Sequence, residues 1–99
     1  MSKIRESARG EECMVRIPGV CKFDPEYTIW SHAPFMSGGK GRSIKAHDLC
    51  GAYACTACDA VIDRQAKPPA GMTREQVELD WFHGHLRSLV RLAEKGLIK

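Results

Sequence analysis

The sequence predicts a small single-domain α+β protein whose fold depends on its cysteines. The chain has 99 residues, which is the length of one domain. Two short runs typical of β-strands come before two patterns typical of helices. Only 7% of the residues are aromatic, whereas five are cysteines. Because a core this small contributes little net stability, we expect the cysteines to add a cross-link or to bind an ion.

The composition excludes several classes of protein. Hydrophobic residues make up 43% of the chain and charged residues 27%, which is typical of a globular domain and not of a disordered tail. No apolar run approaches the ~18 residues of a membrane-spanning helix. The first residues, MSKIRESARGEEC, are charged and lack the apolar segment of a secretory signal. We therefore expect a cytoplasmic protein without membrane contact, in a reducing compartment where disulfides are rare.

The elements of the amino-terminal half follow from local composition. Residues 1–12 are polar and of mixed charge, which predicts a loose arm. CMVRIPGVC follows, and its Pro18-Gly19 pair predicts a tight turn with a thiol near each end. Residues 26–33 predict a first strand, and the apolar run at 49–54 predicts a second. The core is thus predicted to span residues 13–67.

Two helices are predicted in the carboxy-terminal half. The first begins at Cys55 and ends before Pro68, because proline interrupts a helix. The second spans 73–95 and begins at a capping box formed by Thr73 and Gln76. One apolar stripe of this helix is predicted to pack against the domain: Leu79, Phe82, Leu86, Leu89, Val90 and Ala93. A second strip, consisting of Val77, Trp81 and Leu92, is predicted to remain available for a homodimer contact.

Four of the cysteines predict a structural zinc site. Cys55 and Cys58 form a C-x₂-C pair at a strand-to-helix junction, a spacing at which two thiolates converge on one ion. Cys13 and Cys21 bracket the Pro-Gly turn and are predicted to complete the site. A redox-active C-x₂-C and a set of inert buried thiols are the alternatives, although the first would need a βαβ context. Cys50 lies in an apolar run and is predicted to be buried without binding metal.

Ionisable residues flank the C-x₂-C pair in sequence. His32 ends the first predicted strand, and His47-Asp48 comes just before the second. Asp59 and Asp63 lie four residues apart near the start of the first helix, so their carboxylates share one helix face. Carboxylates favour Mg²⁺ or Mn²⁺, and a histidine can accept a proton at neutral pH. Simple structural readings also exist, since acidic residues are common near helix N-termini and a strand-end histidine often bonds a nearby carbonyl.

This order of motifs resembles the HNH nucleases, the ββα-metal group, in its zinc-stabilised form. More closely, ARGEECMVRIPGVC together with SHA, HDL, ACTAC and IDR resembles the YbcO-like family of lambdoid phage and prophage HNH-like nucleases. The resemblance covers about residues 8–65. It implies an HNH-like ββα-metal core with an additional C-terminal helix, a metal-dependent endonuclease activity on DNA, and a place in phage or prophage recombination within a bacterial host.

The resemblance also implies roles for individual residues. His32 would activate the attacking water as a catalytic base, and Asp48, or less favourably His47, would orient it. Asp59 and Asp63 would bind a catalytic Mg²⁺ or Mn²⁺. Ser31 stands where the family often has an acid, and Asp59 stands where it often has histidine.

The basic residues predict contact with a phosphate backbone. Lys40, Arg42 and Lys45 lie in a glycine-rich loop between the first strand and Asp48, and Arg64 and Lys67 are predicted to extend this surface one turn beyond the acidic pair. The formal net charge of +3 favours a polyanion only weakly, since four thiolates around one Zn²⁺ would lower it by two. No base-reading helix is recognisable, which predicts little sequence preference.

Two other functions remain open on the sequence. The chain could be a non-catalytic zinc module that binds nucleic acid or a recombination protein. It could also be an interaction protein that uses its last helix for docking. His83 and His85, on that helix, are assigned no role; His85 is expected to edge the core beside Trp81.

Overall fold

A computed structural model of the chain describes residues 3–34 and 49–98. The elements in chain order are α1 (Lys3–Glu6), β1 (Thr28–His32), β2 (Gly51–Cys55), α2 (Thr56–Ile62) and α3 (Arg74–Glu94), with a 3₁₀ turn at Pro25–Tyr27 before β1. The small α+β class predicted from the sequence is therefore confirmed. No helix within these two ranges is both long and apolar enough to cross a membrane.

The strands β1 and β2 form an antiparallel pair. Thr28 lies opposite Cys55 at one end of the pair, and His32 lies opposite Gly51 at the other. Because side chains alternate between the faces of a strand, Trp30 and Tyr53 share one face, where their rings meet edge to face at 5.2 Å. The opposite face carries small residues of β2 that pack in one cluster with α2.

Helix α3 covers the second edge of β2. The Tyr53 N–H donates a hydrogen bond of 2.9 Å to Ser88 Oγ, which in turn donates to the Gly84 carbonyl. On the same helix His85 Nδ1 lies 2.6 Å from the Gly51 carbonyl oxygen, and its ring stacks on Trp81 as expected. These contacts give the edge of β2 hydrogen-bond partners that its backbone would otherwise lack.

The predicted orientation of α3 is wrong. Leu79, Phe82, Leu86 and Val90, predicted to face the core, are 46–61% exposed. The buried residues of the helix are instead Val77, Trp81, Gly84, Ser88 and Leu92, which include the strip predicted to be free for a homodimer. The physical reason is the small size of two of them. A Cβ on Gly84 would lie 2.8 Å from the Cα of Val15, so only glycine lets the helix approach the Cys13–Cys21 turn this closely.

The ends of α3 agree with the prediction. Thr73 and Gln76 form the predicted capping box, in which each side chain accepts a hydrogen bond from the other residue's backbone N–H. At the other end Gly96 has a φ of 75°, and the Leu97 N–H bonds to the Leu92 carbonyl. This is the Schellman arrangement, which glycine favours because it tolerates a left-handed backbone.

The amino-terminal segment is packed, whereas the sequence predicted a loose arm at residues 1–12. Ala8 is 1% exposed, and Ser7 Oγ lies 2.6 Å from the Tyr53 hydroxyl. Glu11 forms salt bridges with Arg91 and Lys95 of α3. The tertiary contacts account for the difference, because a four-residue helix has almost no stability of its own.

Candidate metal centre and the His32 groove

Four thiols converge at one end of the β1–β2 pair. The Sγ atoms of Cys13, Cys21, Cys55 and Cys58 all lie within 4.8 Å of one another, which confirms the predicted grouping. Three of the four cysteines are buried, and all are free thiols. The Cys13 and Cys58 sulfurs are 3.8 Å apart. A tetrahedral ion with Zn–S bonds of 2.3 Å requires about this separation between sulfurs, so the residues fit Zn²⁺.

Local structure explains why the thiols meet. Cys55 ends β2 and also caps α2, where its Sγ accepts a hydrogen bond from the Cys58 N–H. This places the C-x₂-C pair on the first turn of the helix. The turn between Cys13 and Cys21 is closed by hydrogen bonds from the Val20 and Cys21 N–H groups to the Ile17 carbonyl. The result is a rigid corner that joins the turn, the strand and the helix.

The electrostatics of the cluster also suit a cation. A hydrogen bond from the Cys58 thiol, supported by the Arg16 N–H, lowers the pKa of Cys13 to about 5 despite its burial. The same hydrogen bond raises the pKa of Cys58, and burial raises that of Cys21 to about 11. A negative charge is therefore already favoured on one sulfur, and a bound dication would displace the protons of the others.

Cys50 lies outside this cluster. It precedes β2, is half-buried and packs against the core. The prediction that Cys50 is not a ligand thus agrees with the geometry of the four-thiol group.

His32 lies at the opposite end of the strand pair from the thiols. It is half-buried, faces Gly51 across the sheet and, by strand alternation, points to the face that carries Trp30 and Tyr53. Helix α2 packs with the other face, through Ala52 and Ala54. His32 borders a groove of about 320 Å³ between β1 and the amino-terminal segment.

The predicted acidic pair lies on a shorter helix than expected. Asp59 is half-buried in the first turn of α2, and Asp63 is the exposed C-cap residue. Helix α2 ends at Ile62 and not at residue 67, because the chain turns at Arg64, whose φ is 64°. Arg64 and Lys67 are exposed and follow the helix, so they do not lie on a further turn of α2 as expected.

The structure brings the four thiols together, but it places His32 and helix α2, which carries the acidic pair, on opposite faces of the strand pair. Within residues 3–34 and 49–98, the thiol cluster is the one group of three or more Cys, His, Asp or Glu side chains close enough to hold an ion. His32, Asp59 and Asp63 do not form a second such group there. The remaining predicted site residues, Lys40, Arg42, Lys45, His47 and Asp48, lie outside the described residues.

Two arginines that the sequence analysis did not select lie beside His32. Arg5 and Arg9 line the same groove, one helical turn apart. They were missed because residues 1–12 were interpreted as a loose arm. A signal for them exists in the sequence, since Ile4 and Ala8 repeat at the spacing of an apolar helix face.

These features define a small α+β protein with a cluster of four cysteines that could hold a metal ion. Comparison with known proteins is more specific. Residues 2–97 match the family described as "Putative nuclease YbcO", and the chain belongs to that family. It is 38% identical over 100 residues to proteins of that name from Escherichia coli K12 and from Enterobacteria phage 82, with 100% of this chain and 99% of each relative covered.

A solved structure shares the fold of this chain. The structure described as a "putative bacteriophage protein" from Escherichia coli K-12 MG1655 superposes with a TM-score of 0.75 at 33% identity. The match covers 95% of this chain and all of the other. Homologues of the chain are thus named as nucleases, which supports a nuclease role.

Proposed function

We propose that the protein is a metal-dependent HNH-like endonuclease that hydrolyses phosphodiester bonds in DNA with little sequence preference. The observation that carries this proposal is the position of His32. This residue is half-buried at one end of the strand pair, beside a groove, and the thiol cluster lies at the other end. Membership of a family named for nucleases supports the same activity.

Each predicted residue has a role in the proposed reaction. Neutral His32 accepts a proton from water as the water oxygen bonds to phosphorus; the bond from phosphorus to the sugar oxygen breaks, and this oxygen keeps the electron pair and takes a proton from solvent water. Asp48 orients the imidazole. Asp59 and Asp63 of α2, which packs with the face of the strand pair opposite His32, would hold a divalent ion, Mg²⁺ or Mn²⁺, and that ion would neutralise charge on the DNA backbone. Proteins often hold Mg²⁺ through only one or two carboxylates plus phosphate oxygens, which is compatible with this acidic pair.

The zinc site has a structural role in this proposal. Zn²⁺ bound by the four thiolates leaves no open coordination position, as is typical of structural sites. The basic side chains Lys40, Arg42, Lys45, Arg64 and Lys67 are proposed to contact the DNA backbone. We also propose a setting in phage or prophage DNA processing or recombination in the host cytoplasm, and a relative from Enterobacteria phage 82 supports the phage setting.

The test is a cleavage assay on labelled single-stranded, duplex, nicked and branched DNA, with an RNA strand in parallel. Zinc-loaded protein is incubated with Mg²⁺, with Mn²⁺ or with neither. We expect cleavage of DNA only when a divalent ion is added, and Asp59→Asn should raise the ion concentration required. Absence of cleavage on every strand with both ions would contradict the proposal. Binding without cleavage would favour the non-catalytic zinc module.

A homodimer remains a second proposal, now on a different face of α3. Leu79, Phe82, Leu86 and Val90 form an exposed apolar stripe on this helix. Light scattering over a range of concentrations should show a dimer that Phe82→Ser weakens. A mass that stays monomeric at the highest concentration would contradict it.

A further inference from the structure

We propose that the groove beside His32 is a binding subsite for one backbone phosphodiester of a nucleic-acid strand, with Arg5 and Arg9 as its principal ligands. This subsite deepens the proposed nuclease function, and it rests on that function for the conclusion that the ligand is a nucleic-acid strand. The groove is formed by Arg5, Glu6, Ala8 and Arg9 on one side and by Thr28, Ile29, Trp30 and His32 on the other. Its volume of about 320 Å³ lies within the range of small-ligand sites.

The charge of the groove suits a monoanion. Arg5 of α1 and Arg9 of the turn that follows it are exposed and line the same groove, so two guanidinium groups can approach one phosphate. Guanidinium donors bind phosphate oxygens in a bidentate way, which makes arginine well suited to this ligand. Among the described residues of the lining Glu6 is the one carboxylate, so these two arginines and one glutamate together carry a single positive charge. A phosphodiester carries one negative charge, whereas a terminal phosphate carries more.

A buried hydroxyl provides independent support for a ligand. Thr28 lines the groove and is only 5% exposed. Its Oγ1 is buried and has no hydrogen-bond partner among residues 3–34 and 49–98. Leaving such a group unpaired costs free energy, and a phosphate oxygen in the groove would provide the missing acceptor.

The arginines are carried by an anchored segment. Ser7 contacts Tyr53 through its hydroxyl and accepts a hydrogen bond of 2.8 Å from Lys95 Nζ through its carbonyl. Glu11 is held by Arg91 and Lys95. A nucleic-acid strand bound to the arginines would therefore lie at a fixed distance from His32, because β1 and this segment pack against the same Trp30–Tyr53 cluster.

The experiment measures binding without cleavage. Zinc-loaded protein is titrated into a fluorescent single-stranded DNA oligonucleotide without added Mg²⁺ or Mn²⁺, at several salt concentrations. We expect Arg5→Gln and Arg9→Gln each to weaken binding on the order of three- to tenfold, and to lower the slope of log affinity against log salt by about 1. Lys22→Gln is the matched control, since it removes an exposed positive charge outside the groove. It should change affinity less than twofold.

A second readout locates the contact. The His32 ring signals in the NMR spectrum should shift when the oligonucleotide binds the wild-type protein, and should not shift with the double variant Arg5→Gln/Arg9→Gln. Thr28→Val should weaken binding while preserving the side-chain shape. An added 5′-phosphate on the oligonucleotide should not increase affinity. Equal losses in Lys22→Gln and Arg9→Gln, or wild-type affinity in both arginine variants, would overturn the subsite.

The outcome also separates the subsite from the nuclease function. Loss of binding in the arginine variants, with no cleavage by wild-type protein under any condition, would retain the subsite and remove the nuclease. Cleavage by the wild type with unchanged binding in both variants would retain the nuclease function and remove the subsite.

Discussion

The two ends of the β1–β2 pair differ in almost every physical property. At the Thr28–Cys55 end the chain continues into a helix cap and a cluster of mostly buried thiols. At the His32–Gly51 end the histidine is half-buried and borders an open groove. The first end is built from groups that satisfy one another or an ion, whereas the second, the open end, combines His32 with a groove lined by two arginines. In so small a domain, a fixed end allows the other to remain open.

The largest effect is expected from the thiol end. Cys58→Ser removes one of four ligands and leaves the other thiols without their ion. Because metal binding contributes directly to folding in small zinc domains, we expect the variant to lose zinc and most cooperative unfolding. Cys50→Ser, outside the cluster, is the control and should retain one Zn²⁺ per chain. Metal analysis and thermal unfolding distinguish the two, and similar behaviour of both variants would contradict the assignment.

A smaller effect is expected from Gly51→Ala at the open end. A Cβ at this position would collide with the indole ring of Trp30, which packs over the glycine. Overpacking of this kind typically costs about 1–3 kcal/mol, so the free energy of unfolding should fall by this amount while zinc is retained. Chemical denaturation measures the loss. Since Gly51 pairs with His32, cleavage should fall as well, and wild-type stability would show that the Trp30 ring can move without cost.

Zinc affinity should depend steeply on pH. Near neutrality Cys13 is ionised, whereas the raised pKa values of Cys21 and Cys58 keep these thiols protonated without metal. Binding therefore releases at least two protons, and affinity should rise at least about 100-fold per pH unit around pH 7. Competition with a chelator at two pH values measures this slope. A slope near zero would mean that the thiols are already ionised.

The smallest effect concerns the anchored amino-terminal segment. Burial raises the pKa of Glu11, but hydrogen bonds from Lys95 and Arg91 outweigh it, and the net pKa is lowered. This stabilisation is present above the unfolded pKa of Glu11 and is lost as pH falls through the lower folded value. Glu11→Gln should reduce the melting temperature by less than about 4 °C near pH 7 and flatten its acid dependence. If the melting temperature of the variant falls with acid as steeply as that of the wild type, the salt bridges do not stabilise the segment.

The sequence predicts the thiol end better than the open end. C-x₂-C spacing and the Pro-Gly turn are local signals that were sufficient for the cluster, and the capping-box pattern was sufficient for the start of α3. The buried face of α3 was not predictable from hydrophobicity, because the exposed stripe is the more apolar one. Gly84 and Ser88, spaced by one turn, were the signal for close packing. Arg5 and Arg9 reach His32 only through tertiary contacts.

The most direct test of the account compares wild-type protein with His32→Ala in one set of samples, measuring cleavage rate, zinc content and melting temperature. A catalytic base contributes roughly 10²–10⁴-fold, so the variant should lose at least about 100-fold in rate. It should keep one Zn²⁺ per chain and an unchanged melting temperature, because His32 lies at the opposite end of the strand pair from the thiols. Cleavage at the wild-type rate in a zinc-loaded, folded His32→Ala protein would contradict the account.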